Sequence, residues 1–189
     1  MKYILTTILC LIQITCFSQK IKYIKYQTID EKDYFIHEST VYKPSIALYK
    51  KTYKNGTVNG SQKVNLKKGN YIAKTEESFM KFSINTNGNL DGKLEIQEMY
   101  KNELIKSIMQ IKNGYLQNRT LYDSIGNIKT DTKRYYYKDS IKDISILNNG
   151  SSIHKIKYIT GKTIIRKYDS NGKLIDNETY YTAAIEPRP

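Results

Sequence analysis

Tyr122-Asp123-Ser124-Ile125-Gly126-Asn127-Ile128 returns 46 positions later as Tyr168-Asp169-Ser170-Asn171-Gly172-Lys173-Leu174. Each copy sets an acid, a serine and a glycine between two apolar segments. That is the chemistry of a tight reversal, because Asp and Ser bond to nearby backbone and Gly tolerates positive φ. A tyrosine cluster follows each copy, Tyr135-Tyr136-Tyr137 and Tyr180-Tyr181. Between them, Ile146-Leu147-Asn148-Asn149-Gly150 falls in the same frame, its glycine 24 residues after Gly126 and 22 before Gly172. Tyr100-Lys101-Asn102-Glu103-Leu104 stands 22 residues ahead of Tyr122. A second set of reversals runs through Lys112-Asn113-Gly114, Lys138-Asp139-Ser140 and Thr160-Gly161. A unit of 22 to 24 residues therefore holds two strands and two turns.

The segments between these turns carry strand chemistry. Leu94 and Ile96 alternate with Glu95 and Gln97. Ile105, Ser107, Met109 and Ile111 alternate with Lys106 and Gln110, with Ile108 breaking the pattern. Period-two patterning is the mark of a half-buried strand. Asn55-Gly56, Asn87-Gly88, Asp91-Gly92, Asn113-Gly114, Asn149-Gly150 and Asn171-Gly172 are further reversal signals. The expected fold is all-β: an elongated, twisted antiparallel meander of stacked hairpins. One hairpin cannot bury its apolar face alone, but neighbours in register can. Tyr100, Tyr122, Tyr136, Tyr168 and Tyr180 are expected to stack in ladders along such an array.

The phrasing Asn87-Gly88-Asn89-Leu90-Asp91-Gly92-Lys93, a strand to Tyr100, then Lys112-Asn113-Gly114-Tyr115 and Tyr122-Asp123 resembles the MORN-variant repeats of bacterial YwqK-type, antitoxin-like proteins. The resemblance covers Phe82 to Tyr181. Glu103 and Ser140 stand where those repeats have glycine, and tryptophan is absent. It implies an MORN-like sheet of stacked hairpins and transfers no catalytic residue.

The flanks read differently. Met1-Lys2, an apolar run from Tyr3 to Ile14, and Cys16-Phe17-Ser18 before Gln19 have the layout of a cleaved secretory signal at residues 1–18. The apolar run is too short to span a bilayer, which takes roughly 20 residues. An exported protein, periplasmic or secreted, with no transmembrane segment after cleavage is expected. Both cysteines, Cys10 and Cys16, fall inside that signal, so the processed chain has neither disulfide nor thiolate. Residues 19–81 fit the repeat poorly and are expected to open the same sheet or cap it. Tyr34-Phe35-Ile36 and Ile46-Ala47-Leu48-Tyr49 read as strands there, and Thr52 to Gln62 as a hairpin. Residues 82–182 carry the hairpin units, and 183–189 form a frayed tail.

The chain carries 31 Lys and Arg against 18 acids, a net charge of +13. Only four of the cations are Arg, which weakens any role in bidentate phosphate reading. Alternating lysines place charge on solvated strand faces, where they also discourage edge-to-edge aggregation. Lys133-Arg134-Tyr135-Tyr136-Tyr137-Lys138 is the strongest basic-aromatic run. Lys133, Arg134, Tyr135, Tyr137 and Lys138 are therefore the candidate binding surface, beside the simpler reading of a strand with charged ends. Interleaved cations and rings suit single-stranded nucleic acid, but export disfavours that ligand. Another protein or an anionic envelope polymer fits better.

Catalytic constellations are not legible. His37 and Glu38 are neighbours on a strand and point to opposite faces, as do Glu95 and Glu98. His154 has no acid nearby in sequence, and Glu76-Glu77 reads as a solvated turn. No metal, cofactor or catalytic residue is expected. Asp123-Ser124-Ile125 and Asp139-Ser140-Ile141 resemble the short acceptor of O-glycosylation in exported bacterial proteins. The functional expectation is a non-enzymatic β-repeat module binding a protein or envelope polymer. An immunity protein that inhibits a toxin is the alternative, and a cell-wall or polysaccharide hydrolase the remote third.

Overall fold

The computed structural model describes residues 25–29, 34–38, 45–74, 78–100 and 102–182. The expected signal at 1–18, the tail at 183–189 and the Glu76-Glu77 turn lie outside the described residues, as does the Tyr100 side chain. The protein is all-β, with no helix among the described residues, and hence none long and apolar enough to cross a membrane.

Eleven strands form one sheet. Its meander runs through β5 (Gly69–Lys74), β6 (Ser78–Ile84), β7 (Gly92–Tyr100), β8 (Glu103–Lys112), β9 (Tyr115–Tyr122), β10 (Ile128–Tyr136), β11 (Ser140–Leu147), β12 (Ser152–Tyr158), β13 (Lys162–Tyr168) and β14 (Leu174–Tyr181). Every neighbouring pair in this run is antiparallel. β1 (Tyr26–Ile29) completes the sheet by pairing β5 in parallel, which no hairpin signal announces. The sheet is open: β1 and β14 are its two edges. β2 (Tyr34–Glu38), β3 (Ile46–Lys54) and β4 (Thr57–Lys63) form a separate antiparallel sheet.

The turns follow the sequence closely. Asn55-Gly56 closes β3–β4 and Asn113-Gly114 closes β8–β9, with positive φ at both residues of each pair as a type I′ turn requires. Asn59-Gly60 lies within β4 and makes no reversal. Asp91-Gly92 is not a reversal either: Gly92, at φ 86°, opens β7. The β7–β8 turn is carried by Asn102 at φ 65°, with no glycine to signal it. Three turns at one end of the sheet close with one hydrogen-bond pattern. Asp123 N–H donates to Asn127 O and Gly126 N–H to Asp123 O; Leu147 to Ser151 and Gly150 to Leu147 match them, as do Asp169 to Lys173 and Gly172 to Asp169. In two of them an aspartate finishes the loop: Asp123 Oδ1 accepts from Ile125 and Asn127, and Asp169 Oδ1 from Asn171 and Lys173.

The core lies between the two sheets. Ile46 and Leu48 of β3 face Tyr71, Ala73, Met80, Phe82, Ile84, Leu94, Met109, Ile111 and Leu116 of β5–β9. Period-two patterning explains the choice: Met80, Phe82 and Ile84 turn inward while Lys81 and Ser83 turn out. Phe82 and Leu94 are nearly inaccessible, each 1 % exposed. This core ends at β9. Among the described residues, Ile141 is the only buried apolar side chain from β10–β14. All seven residues of β12 are half-buried, as expected where the sheet stands, among the described residues, as a single layer. Cross-strand pairs and the aliphatic stems of long polar residues must hold it.

The tyrosine ladders are not formed. Tyr136 packs edge-on against Tyr115 at 5.5 Å and Tyr168 against His154 at 4.6 Å. Tyr122 and Tyr168 lie on the sheet face away from β2–β4, and Tyr136 and Tyr180 on the other; Tyr136 and Tyr180 fall on one cross-strand row, but Ile141, Lys157 and Thr163 stand between them, so their rings do not stack.

Candidate functional site

The run Lys133–Lys138 does not make one surface. Strand β10 alternates, so Lys133 and Tyr135 face away from the small sheet, and Arg134 and Tyr136 face toward its side. Tyr137 and Lys138 lie past the strand in the β10–β11 turn, where Tyr137 N–H donates to Ser140 O at 2.9 Å. Arg134 is a structural residue. Its side chain is only 6 % exposed, and its Nε and Nη2 donate to the two carboxylate oxygens of Asp143 on β11 at 2.7 and 2.8 Å. Its Nη1 also meets Glu38 of β2, which ties the small sheet to β10. Burial works against the charge, but the bonds and fields of Asp143 and Glu38 outweigh it and hold the guanidinium pKa above its ordinary value. Tyr136 Oη donates to Leu116 O at 2.9 Å. Burial raises its pKa.

The remaining two, Lys133 and Tyr135, join residues that sequence reading left aside. Across the outer face, Lys133 lies opposite Ile144, Ile144 opposite His154, and His154 opposite Arg166. The adjacent row runs Tyr135, Lys142, Ile156, Ile164. Lys133, Lys142 and Arg166 make no ion pair among the described residues. Asp131 is the only carboxylate on this face of β10–β14, and it accepts from Thr120 Oγ1 at 2.8 Å. The opposite face of the same strands differs. There Asp143 pairs with Arg134, while Asp176 and Glu178 both pair with Lys167, at 2.7 and 2.8 Å. The two carboxylates hold the Lys167 pKa up. On β7–β8 two outer cations share one acid: Glu95 bridges Lys93 and Lys106, both at 3.0 Å. Those bonds more than offset burial and keep the Glu95 pKa low. Among the described residues, the outer face of β10–β13 thus carries four cations without an ion pair, Lys133, Lys142, Lys162 and Arg166, against two on the reverse face, Lys155 and Lys157.

His154 registers that field. Burial first, then the charges of Lys142 and Arg166, push its pKa below the ordinary 6.5. An imidazole resting on Tyr168 is a recognition group more than a base, since among the described residues no carboxylate stands beside it to orient it.

A second feature is a cavity of about 350 Å³ between the sheets. Ile46, Met80, Ile96, Met109 and Leu116 line its floor, with Glu38, Glu98 and Arg119 among its polar walls. Arg119 Nε donates to Ser107 Oγ at 3.2 Å. Glu38 is engaged by Arg134.

Other sequence candidates separate as strand geometry demands. Glu38 faces the large sheet, while His37 turns out to an edge contact with Tyr49 at 5.2 Å. Glu95 is on the outer face and Glu98 on the inner. No group of three or more metal-capable side chains occurs among the described residues. Ser124 is exposed at a turn tip. Ser140, 8 % exposed, opens β11 and donates to Asp139, so only the first of the two acceptor-like serines is open to modification.

No family model, curated protein or solved structure matches this chain. The outer face was missed in sequence because its residues come from four strands. The one available signal was the alternation of Lys142-Asp143-Ile144 and Ile153-His154-Lys155.

Proposed function

We propose that this chain is an exported, non-enzymatic binding module. A MORN-like run of stacked hairpins holds a rigid basic sheet face toward an acidic protein or an anionic envelope polymer. One observation carries the reading: Lys133, Lys142 and Arg166 share an open face with a single carboxylate, while the acids on the reverse face of β10–β14 are already paired. Unpaired charge on a rigid face keeps its field for a partner and speeds encounter with the opposite sign. The recurring turn bonds at 123–127, 147–151 and 169–173 support the stacked-hairpin view. The N-terminal layout supports export.

The test is binding of the full chain to an immobilised acidic polymer across a salt series. Retention that falls steeply between low and physiological salt is the expected result. Equal retention on a neutral polymer, or none on the acidic one, would remove the proposal.

A further inference from the structure

The composition of the outer face narrows the partner. Resting on the binding-module reading above, we infer that one cross-strand row of this face is a track for an extended acidic polysaccharide. The row comprises Asn118, Lys133, Ile144, His154, Arg166 and Asn177, each directly opposite the next on β9 to β14.

Five strand steps give the track a length of about 24 Å, and the three steps from Lys133 to Arg166 about 14 Å. The order of chemistry along it is specific. Carboxamides stand at both ends, where each can donate and accept with sugar hydroxyls. The two cations stand inside them, placed for carboxylates or sulfates. Between the cations are apolar and aromatic surfaces: Ile144, then His154 with Tyr168 packed 4.6 Å from its ring. Those surfaces suit the C–H faces of sugar rings. A track made only for phosphates would gain nothing from Ile144 or from a histidine held neutral. A lipid surface would meet exposed lysine tips on any part of the face and would not depend on one row.

The groups packed around His154 make it a reporter. From β11 it faces Ile144, Lys142 and Ile146; from β13, Arg166, Tyr168 and Ile164; along its own strand, Ser152 and Ile156. The charged groups among them are Lys142 and Arg166, and both lower its proton affinity. An anionic sugar seated across them cancels part of that effect. The chain has only two histidines, and His37 sits outward on the small sheet, so it serves as an internal control.

The experiment is a pH titration of both imidazoles by NMR in the full chain, alone and with oligogalacturonate. Inorganic polyphosphate and vesicles containing anionic lipid are run in parallel. His37→Gln assigns the signals. The expected result is an upward shift of the His154 midpoint with oligogalacturonate and none at His37. Arg166→Gln and Lys133→Gln should each weaken oligogalacturonate binding by about tenfold, the loss of one charge-assisted contact. Folding of each variant is checked by its unchanged His37 signal. If oligogalacturonate binds without moving His154, or polyphosphate or vesicles move it equally, the track is wrong and the broader binding module stands. If the chain binds none of the three probes, both fall.

Discussion

Arg134 and Asp143 stand directly opposite each other on β10 and β11, joined by two parallel hydrogen bonds of 2.7 and 2.8 Å. With Glu38 on the third guanidinium nitrogen, this pair is the polar contact that fastens the small sheet to the single-layer half. Asp143→Ala leaves a largely buried guanidinium with one partner, and the expected cost is about 3 kcal/mol, the range for breaking a buried pair. Arg134→Lys keeps the charge without the planar fork and should recover only part of it. Urea denaturation of the variants measures both. A loss below about 0.5 kcal/mol for Asp143→Ala would place the pair among ordinary surface bridges.

Asp123 and Asp169 close equivalent loops by accepting two backbone N–H bonds each. Asp123→Ala and Asp169→Ala should therefore cost similar amounts, about 1 kcal/mol each. Asn at either position keeps the accepting oxygen and should be close to neutral. The thermal midpoints of the four single variants check this, and a large difference between the two alanine variants would mean that the loops are not equivalent.

Leu94 and Ile156 compare the two-layer and one-layer parts. Leu94, 1 % exposed, sits under the small sheet, and Leu94→Ala should cost about 2–5 kcal/mol. Ile156 is half-buried on the outer face, and Ile156→Ala should cost only about 1 kcal/mol. Equal losses in chemical denaturation would show that something covers β12.

Three shifted groups act below neutral pH, His154, Glu95 and, at the acid end, Asp176, whose carboxylate Lys167 holds low. The folded pKa of His154 lies below its ordinary 6.5, so the fold favours the neutral ring. That contribution is complete above pH 6.5 and is lost as pH falls through the folded value. Glu95, lowered from 4.5, adds a second loss at more acidic pH. Thermal midpoints should decline from pH 7 toward pH 5, with His154→Gln flattening that part of the profile. Glu95→Gln should act only below about pH 4.5, and flatten that region in part because Asp176 also titrates there. A His154→Gln profile parallel to the wild type would mean that burial, Lys142 and Arg166 do not together depress the proton affinity of the imidazole.

Much of the fold was legible because its determinants are local. Leu94 and Ile96 against Glu95 and Gln97 fixed a face, and Asn-Gly at 55–56 and 113–114 fixed hairpins. What stayed hidden was non-local. The parallel pairing of β1 with β5 joins Tyr26 to Asn70, and the Glu38–Arg134 contact spans 96 positions. Neither leaves a mark in any short window. The candidate surface was misjudged for a local reason: Lys133 to Lys138 is contiguous in sequence, but a strand sends alternate residues to opposite faces. The tyrosine ladders did not form because rings on one face are separated by whole strands: Ile141, Lys157 and Thr163 stand between Tyr136 and Tyr180. The outer basic row exists only once those registers are known.

On the proposed reading, the outer face of β10–β13, and not total charge, is what an acidic partner meets. The direct measurement compares two double variants of equal net charge for affinity to one acidic polymer. Lys133→Gln with Lys142→Gln alters the outer face, and Lys155→Gln with Lys157→Gln the reverse. A loss of about tenfold or more is expected for the first pair and little change for the second. Equal losses from both would contradict it, leaving only a generally basic protein.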